Sequence, residues 1–162
     1  MIKHSDIRDK LVSGLYEYMN LLVVQSSSIG EQPKYPFITY SVSSPYIQLG
    51  NTERYTETEQ EDSVNRFVEH YEQSYSFTVA SKDEDEAMDL CLKAIQYFKL
   101  YGVDYLKDNH IVVVNISNIQ ARDNMITINY ERRYGFDVRI RLACEEIQAN
   151  ADTIEIVNFN NN

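Results

Sequence analysis

The stretch that decides the fold runs from residue 67 to residue 102 and reads FVEHYEQSYSFTVASKDEDEAMDLCLKAIQYFKLYG. Residues 67–79 alternate in character, as expected of a β-strand, where successive side chains point to opposite faces. One face collects most of the aromatic and aliphatic side chains, namely Phe67, Tyr71, Tyr75, Phe77 and Val79. Because the other face is largely polar, the pattern predicts a long strand in an antiparallel sheet, half exposed to solvent.

The second half of this stretch predicts a helix. Ser81 and Glu84 have the spacing of a capping box, in which Ser81 caps the helix and Glu84 reaches back to its amide. Apolar side chains then recur at spacings of three and four residues, namely Ala87, Leu90, Cys91, Ala94, Ile95 and Phe98. Gly102 is placed to end this helix, and residues 103–109 are expected to form a short link.

Another helix is predicted near the N-terminus. Ser5 is its candidate cap, and Asp6 adds a negative charge to the first turn, where the helix dipole favours one. The apolar face consists of Ile7, Leu11, Leu15, Met19 and Leu22. The apolar run at residues 21–24 is either a first strand or the exit from this helix.

Further strands are predicted on both sides of the central helix. Residues 37–42 have good strand propensity, and Pro45 and Gly50 either close that strand or bend it. The later candidates are residues 111–116, 125–133 and 136–144, a bulge or tight bend at Tyr134–Gly135, and an additional edge strand at 154–157.

The order of these elements defines the fold class. Strands that follow each other closely favour antiparallel hairpins with helices packed on one face. We therefore predict a single α+β domain over residues 1–162, with a mostly antiparallel sheet flanked by two main helices. The Asn-rich end, residues 158–162, is expected to be disordered.

The segment from residue 50 to residue 65, GNTERYTETEQEDSVN, is acidic and has almost nothing to bury. It is either a solvated loop or a protruding hairpin arm that becomes ordered on a neighbouring subunit. The TETE run, residues 56–59, alternates with the period of two that a β-ribbon uses.

The charge of the chain bears on its partners. With 25 acidic and 15 basic residues, the formal net charge is −10. Such a surface repels phosphate, which argues against a nucleic-acid reader but not against a protein past which DNA slides without adhering. No apolar run approaches the ~20 residues that span a bilayer, and the N-terminus lacks a secretory pattern, so we expect no membrane association and synthesis in a cytoplasm.

The sequence offers few candidates for catalysis. The glycines are far apart and build no phosphate-binding loop. His4, His70 and His110 fall in separate predicted elements, and Cys91 and Cys144 have no nearby ligand at metal-site spacing. We expect reduced cysteines, no cofactor or metal, and no enzymatic activity, since an active site would have to form between distant segments.

Tyrosines are the first candidates for a subunit interface. The chain has 13 of them, and tyrosine combines a large apolar surface with a polar tip. Tyr71 and Tyr75 share a strand face with Phe77 and are predicted to be core. Tyr46 and Tyr55 border the acidic segment and are the better interface candidates.

Arginines are the second set of interface candidates. Positive charge is concentrated at Arg122, Arg132, Arg133, Arg139 and Arg141 in an otherwise acidic chain. We hypothesise that Arg122, Arg133, Arg139 and Arg141 form salt bridges with the acidic segment of a neighbouring subunit. The carboxylates concerned would be those of Glu57, Glu59 and Glu61.

Two stretches in the C-terminal half carry a resemblance: SYSFTVASKDEDEAMDLCLKAIQYF at 74–98 and IVVVNISNIQARDNMITINYERRYGFDVRIRL at 111–142. The chain resembles the neck or tail-terminator proteins of tailed phages and of phage-like particles. The matching features are F-T-V-x-S at 77–81, the acidic capped helix with Ala87, the Arg122–Asp123 turn, the run from Tyr130 to Val138, and P-x-Y-P-F-I-T-Y at 33–40.

The resemblance implies a small α+β fold that assembles as a hexameric ring in the neck of the virion. Such a ring caps the tail tube at its set length and presents a surface to the head-side connector. The implied partners are other copies of the chain, the tail tube protein, the connector or stopper protein and the sheath, with DNA passing through the lumen. Assembly would take place in the host bacterial cytoplasm, without a cofactor. The alternative is another connector component, such as a stopper or tube-like subunit.

Overall fold

The computed structural model describes residues 3–28, 30–50, 52–59, 62–123 and 131–149. Its helices are α1 (His4–Met19), α2 (Glu84–Gln96) and α3 (Val103–Asp108), with a π-helical turn (Tyr97–Tyr101) between α2 and α3. Its strands are β1 (Val23–Gln25), β2 (Phe37–Gln48), β3 (Glu53–Glu59), β4 (Asp62–Ser81), β5 (Val112–Ile116), β6 (Gln120–Ala121) and β7 (Arg132–Ala149). None of the described helices is long and apolar enough to cross a membrane.

The strands form one sheet in the order β1-β2-β4-β7-β5, with β3 beside β4 and β6 beside β7. Strand β1 runs parallel to β2, and the other described pairs are antiparallel. The centre of the sheet is the pair β4–β7, which stays in regular register from Val64–Ala149 to Ser81–Arg132. The predicted α+β class with a mostly antiparallel sheet is confirmed.

The core lies between the helices and one face of the β4–β7 pair, which we call the helix face. Directly paired residues share a face, so Phe77 and Phe136 lie together, as do Tyr75 and Val138. Phe98 packs on both phenylalanines, with ring centroids 5.1 Å from Phe77 and 6.1 Å from Phe136. The alternation predicted for residues 67–79 is therefore correct for Tyr75, Phe77 and Val79, all of which are buried.

The start of α2 differs from the prediction. Ser81 is the last residue of β4, paired with Arg132, so it cannot cap the helix. Asp83 is the N-cap, and its Oδ1 accepts a hydrogen bond from the amide of Glu86 at 2.9 Å. The Ser81 hydroxyl accepts a hydrogen bond from the amide of Asp83 at 3.2 Å and donates one to the Glu86 carboxylate. Ser81 therefore stabilises the N-cap and the first turn of α2 from its position at the end of β4.

The end of the central helix is at Gly102, as predicted, because Gly102 is the C-cap of the π-helical turn that follows α2. The predicted link at residues 103–109 differs, since most of it forms α3. The backbone of Gly102 is right-handed, with φ of −92°. Gly102 also leaves room, because a Cβ at this position would overlap the ring of Tyr97.

The first helix begins one residue before its predicted cap. The N-cap is Lys3, while Ser5 lies inside α1 and donates to Asp6 Oδ1 at 3.1 Å. Helix α1 ends at Met19, so Leu22 lies beyond it and is half exposed. Of the two alternatives for residues 21–24, the strand is confirmed, as β1. The rest of the predicted apolar face is buried: Ile7, Leu11, Leu15 and Met19.

Three further predictions are decided by strand pairing. Pro45 does not close β2, which continues to Gln48 with register shifts on either side of Ser44. Tyr134–Gly135 is neither a bulge nor a bend, because its pairing with β4 is regular. Within its described residues, the acidic segment forms a hairpin rather than a loop, since β3 pairs with β4 and Glu53 lies opposite Val68. The predicted elements at 124–130 and 154–162 lie outside the described residues.

Candidate subunit interface

The face of the sheet opposite the helices, which we call the polar face, carries most of the candidate arginines. Its central positions are Glu72, Ser74 and Ser76 on β4, paired with Arg141, Arg139 and Asp137 on β7. Strand β4 carries these polar residues at every second position, so folding of the β4–β7 pair alone brings distant parts of the chain together.

Arg122 is held flat against this face by its own subunit. Its Nη1 donates to Ser76 Oγ at 2.6 Å and to Thr78 Oγ1 at 2.9 Å, and its Nη2 donates to Asp137 Oδ1 at 3.0 Å. The guanidinium lies over Gly135, where an added Cβ would be 2.6 Å from Nη1. These bonds give Arg122 a structural role in the sheet, and its predicted contact with a neighbour stays a prediction.

A second cluster on the polar face is built around Glu72, whose side chain is only 5% exposed. Its Oε1 accepts from Arg141 Nε at 3.3 Å and Nη2 at 3.0 Å, and its Oε2 lies 3.9 Å from Arg139 Nε. Both arginine side chains are about half exposed, at 49% for Arg139 and 48% for Arg141. One buried carboxylate thus faces two guanidinium groups, which leaves excess positive charge directed to solvent.

Arg133 is engaged at the end of the sheet near α2. Its Nε donates to Glu131 Oε1 at 2.9 Å, and its amide donates to Asp123 Oδ1 at 2.7 Å. Arg132 donates to Asp123 Oδ2 at 3.2 Å. Of the four arginines predicted at the interface, Arg122 and Arg133 each bind a carboxylate of their own within the subunit. The other two, Arg139 and Arg141, share the single carboxylate of Glu72.

The acidic hairpin presents the opposite charge on the same face. Glu53 pairs with Val68 and Tyr55 with Arg66, so Glu53 and Tyr55 share the polar face with Glu72. Both are exposed, Tyr55 at 41%. Of the other predicted carboxylates, Glu57 and Glu59 belong to β3, whereas Glu61 lies outside the described residues.

Tyr46 and Tyr55 are not brought together. The Tyr46 hydroxyl donates to the Glu69 carboxylate, which raises the pKa of Tyr46, and its ring stacks on Tyr71 at 5.5 Å. Glu69 and Tyr71 lie on the helix face, so Tyr46 and Tyr55 are exposed on opposite faces of the sheet.

Glu72 is the residue that sequence reasoning missed. Glu72 lies on the largely polar face of the alternating pattern at residues 67–79, and no neighbouring residue in the sequence indicates that it is buried. Its burial follows from its flanking partners, Ile47 on β2 and Arg141 on β7. The available signal was the pair Arg139 and Arg141, two residues apart on one strand face, which becomes informative only once the register is known.

One cavity in the described part of the chain, of about 430 Å³, lies between α3 and β5 and is lined mostly by aliphatic side chains with Lys99 and Lys107, without a carboxylate or histidine. Another, of about 210 Å³, has His4, Glu69 and Cys144 in its lining. Burial raises the pKa of the Cys91 thiol to about 12, so it is a poor nucleophile. Among the described residues, no group of three or more His, Cys, Asp or Glu could hold a metal ion.

The sequence matches the family described as phage neck terminator protein over residues 9–162, and the chain belongs to that family. It is therefore a structural protein of the phage virion, located in the neck or tail region.

The other comparisons are distant. No curated protein matches the chain. It is similar to a chain of a solved structure described as the virion of a native gene transfer agent particle, at 10% identity and a TM-score of 0.38. That match covers 85% of this chain and 92% of the other.

Proposed function

We propose that this chain forms a hexameric ring that caps the tail tube, ends tail elongation and joins the tail to the head-side connector. The observation that carries the proposal is the family match over residues 9–162, which leaves almost none of the chain outside the neck-terminator domain. The proposed partners are other copies of the chain, the tail tube protein, the connector or stopper protein and, in contractile tails, the sheath.

The charge distribution supports a ring through which DNA passes. The chain has a net charge of −10, so a ring of such subunits repels the phosphate backbone and gives DNA no adhesive surface. The arginines that would attract phosphate are partly neutralised inside the subunit: Arg122 by Asp137, and Arg139 and Arg141 by Glu72. Assembly is proposed to occur in the host bacterial cytoplasm.

Ring closure requires a heterologous interface, in which two different patches of each subunit meet head to tail. The described surface offers two such patches of opposite charge. One is the hairpin with Glu53 and Tyr55, and the other is the surface around Arg139 and Arg141.

The experiment is electron microscopy of particles from a strain that lacks this gene, with the gene restored from a plasmid as control. The proposal predicts filled heads separate from tails of irregular or excessive length. Normal joined particles would refute it. Tails of normal length that fail to join heads would favour the alternative of a stopper-like connector component.

A further inference from the structure

Within the described part of the chain, four strands pair with one neighbour only, namely β1, β3, β5 and β6, and the longest of these are β3 and β5. Strand β3 pairs with β4 and strand β5 pairs with β7, and neither has a described neighbour on its other side. The two edges face outward on opposite sides of the sheet, because β4 and β7 lie between them. An unpaired edge presents a row of N–H and C=O groups that can pair with another chain.

Strand β5 is short and has a register irregularity between Val113 and Asn115, but it lacks the charged residues and the proline that also protect an edge. Its sequence, VVVNI at residues 112–116, contains no charged residue and no proline. Val112 is 47% exposed and Val114 is 42% exposed, so the strand presents apolar surface as well as free backbone. Exposed apolar edges are sites of pairing with other chains.

The charges beside β5 indicate what covers it. Val112 pairs with Arg141, and Asn115 pairs with Arg139, so these arginines lie on the polar face directly next to β5. An added strand would therefore place every second side chain on the same face as these arginines, with β5 between them. The partner strand should be acidic at alternate positions.

Strand β3 of a second copy fits this requirement. Copies related by rotation about a ring axis keep the same face of the sheet inward, so the polar faces of neighbours are continuous. Glu53 and Tyr55 lie on the polar face, and Glu57 and Glu59 continue the alternation in the sequence. Glu53 would thus approach Arg139 and Arg141, and Tyr55 would approach the exposed Val112.

We propose that strand β3 of one copy pairs with strand β5 of the next copy. The sheets of neighbouring subunits would then form one continuous sheet around the ring. The seven-residue β3 is long enough to cover the five-residue β5. The inference rests on the proposed ring and adds which two edges close it.

Paired cysteines test this contact in assembled particles. In the gene-deleted strain, particles are made with Tyr55→Cys/Val112→Cys or Glu53→Cys/Val112→Cys, two pairs that allow for a register difference of two residues on one face. The matched control is Arg54→Cys/Val112→Cys, because Arg54 pairs with Phe67 and lies on the helix face. Each single variant is a further control, and all are oxidised and run on denaturing gels without reductant.

A disulfide within one subunit is excluded by the register. Tyr55 is aligned, through Arg66, with Ile147, whereas Val112 is aligned with Arg141. The two positions are thus roughly 20 Å apart along the strands, in addition to the three strand spacings between β3 and β5. A disulfide needs Cα atoms within about 7 Å.

The proposal predicts a ladder of covalent oligomers for one of the polar-face pairs, and at most dimers for the Arg54→Cys pair and the single variants. Particles that contain the protein but yield no ladder from either polar-face pair would overturn the β3–β5 contact. A ladder of equal strength from the Arg54→Cys pair would also overturn it. Deletion particles that need no complementation to join heads to tails would instead refute the proposed function.

Discussion

Replacing Gly135 by alanine tests whether the Arg122 guanidinium organises the polar face. Gly135 lies in regular strand pairing, and its φ is not positive, so alanine can adopt its backbone conformation. Alanine in a strand is ordinarily more favourable than glycine by about 0.5–1 kcal/mol. Here its Cβ would lie 2.6 Å from Arg122 Nη1, so the guanidinium must leave its place over the strand.

The displaced guanidinium loses its hydrogen bonds to Ser76, Thr78 and Asp137. Hydrogen bonds of charged groups contribute about 1.5–3 kcal/mol each when buried, and these are partly exposed, so we expect a total loss of about 2 kcal/mol. After the gain from alanine, Gly135→Ala should lower the free energy of unfolding by about 1–1.5 kcal/mol.

The sign should reverse when Arg122 is absent. In an Arg122→Ala background the Cβ meets no guanidinium, so Gly135→Ala should raise the free energy of unfolding by about 0.5 kcal/mol. The assay is a double-mutant cycle by urea unfolding of the four proteins at one protein concentration. A coupling energy near 2 kcal/mol is expected, and equal effects of Gly135→Ala in both backgrounds would refute the role given to Arg122.

The remaining predictions concern other buried groups. Glu72→Gln leaves Arg139 and Arg141 without their carboxylate, so it should lower the free energy of unfolding in urea by about 1–3 kcal/mol. The control, Glu145→Gln at a half-exposed position, should change it by less than about 1 kcal/mol. Equal effects of the two substitutions would contradict the buried cluster around Glu72. Gly14→Ala places a Cβ 2.7 Å from the Tyr105 ring and should lower the melting temperature, while Gly30→Ala, with nothing within 4 Å, should not; a melting temperature unchanged by Gly14→Ala would contradict this packing. The pKa of Cys91 is raised from 9.0 to about 12 in the folded state, so its contribution to stability is present below pH 9 and falls as the pH rises towards 12. The free energy of unfolding of Cys91→Ala should therefore decline less steeply between pH 9 and 12 than that of the unsubstituted protein. An identical decline would show that this thiol does not contribute.

The strand–helix unit at residues 67–102 could be predicted because its signals are local. The alternation of Tyr75, Phe77 and Val79 and the helical spacing of Ala87, Cys91 and Ala94 depend only on nearby residues. The choice of cap could not be predicted, because Ser81 and Asp83 are both good N-cap residues. Pairing of Ser81 with Arg132, far along the chain, decides it.

Long-range pairing also explains what was missed at the candidate interface. Strand β3 has little to bury, and its structure comes from hydrogen bonding to β4 rather than from hydrophobic periodicity. The burial of Glu72 and the position of the Arg122 guanidinium over Gly135 both depend on the register in which β4 pairs with β7. Composition identified arginines and acidic residues as interface candidates, but only the fold separates Arg122 and Arg133, which have tight internal partners, from Arg139 and Arg141.

The most direct test of the central claim is a cryo-electron microscopy reconstruction of the neck in purified, DNA-filled particles. We predict a single ring of six copies of this chain at the head-proximal end of the tail tube, with the β4–β7 pair resolved in each copy. Density for the chain elsewhere in the particle, or its absence from complete particles, would contradict the account.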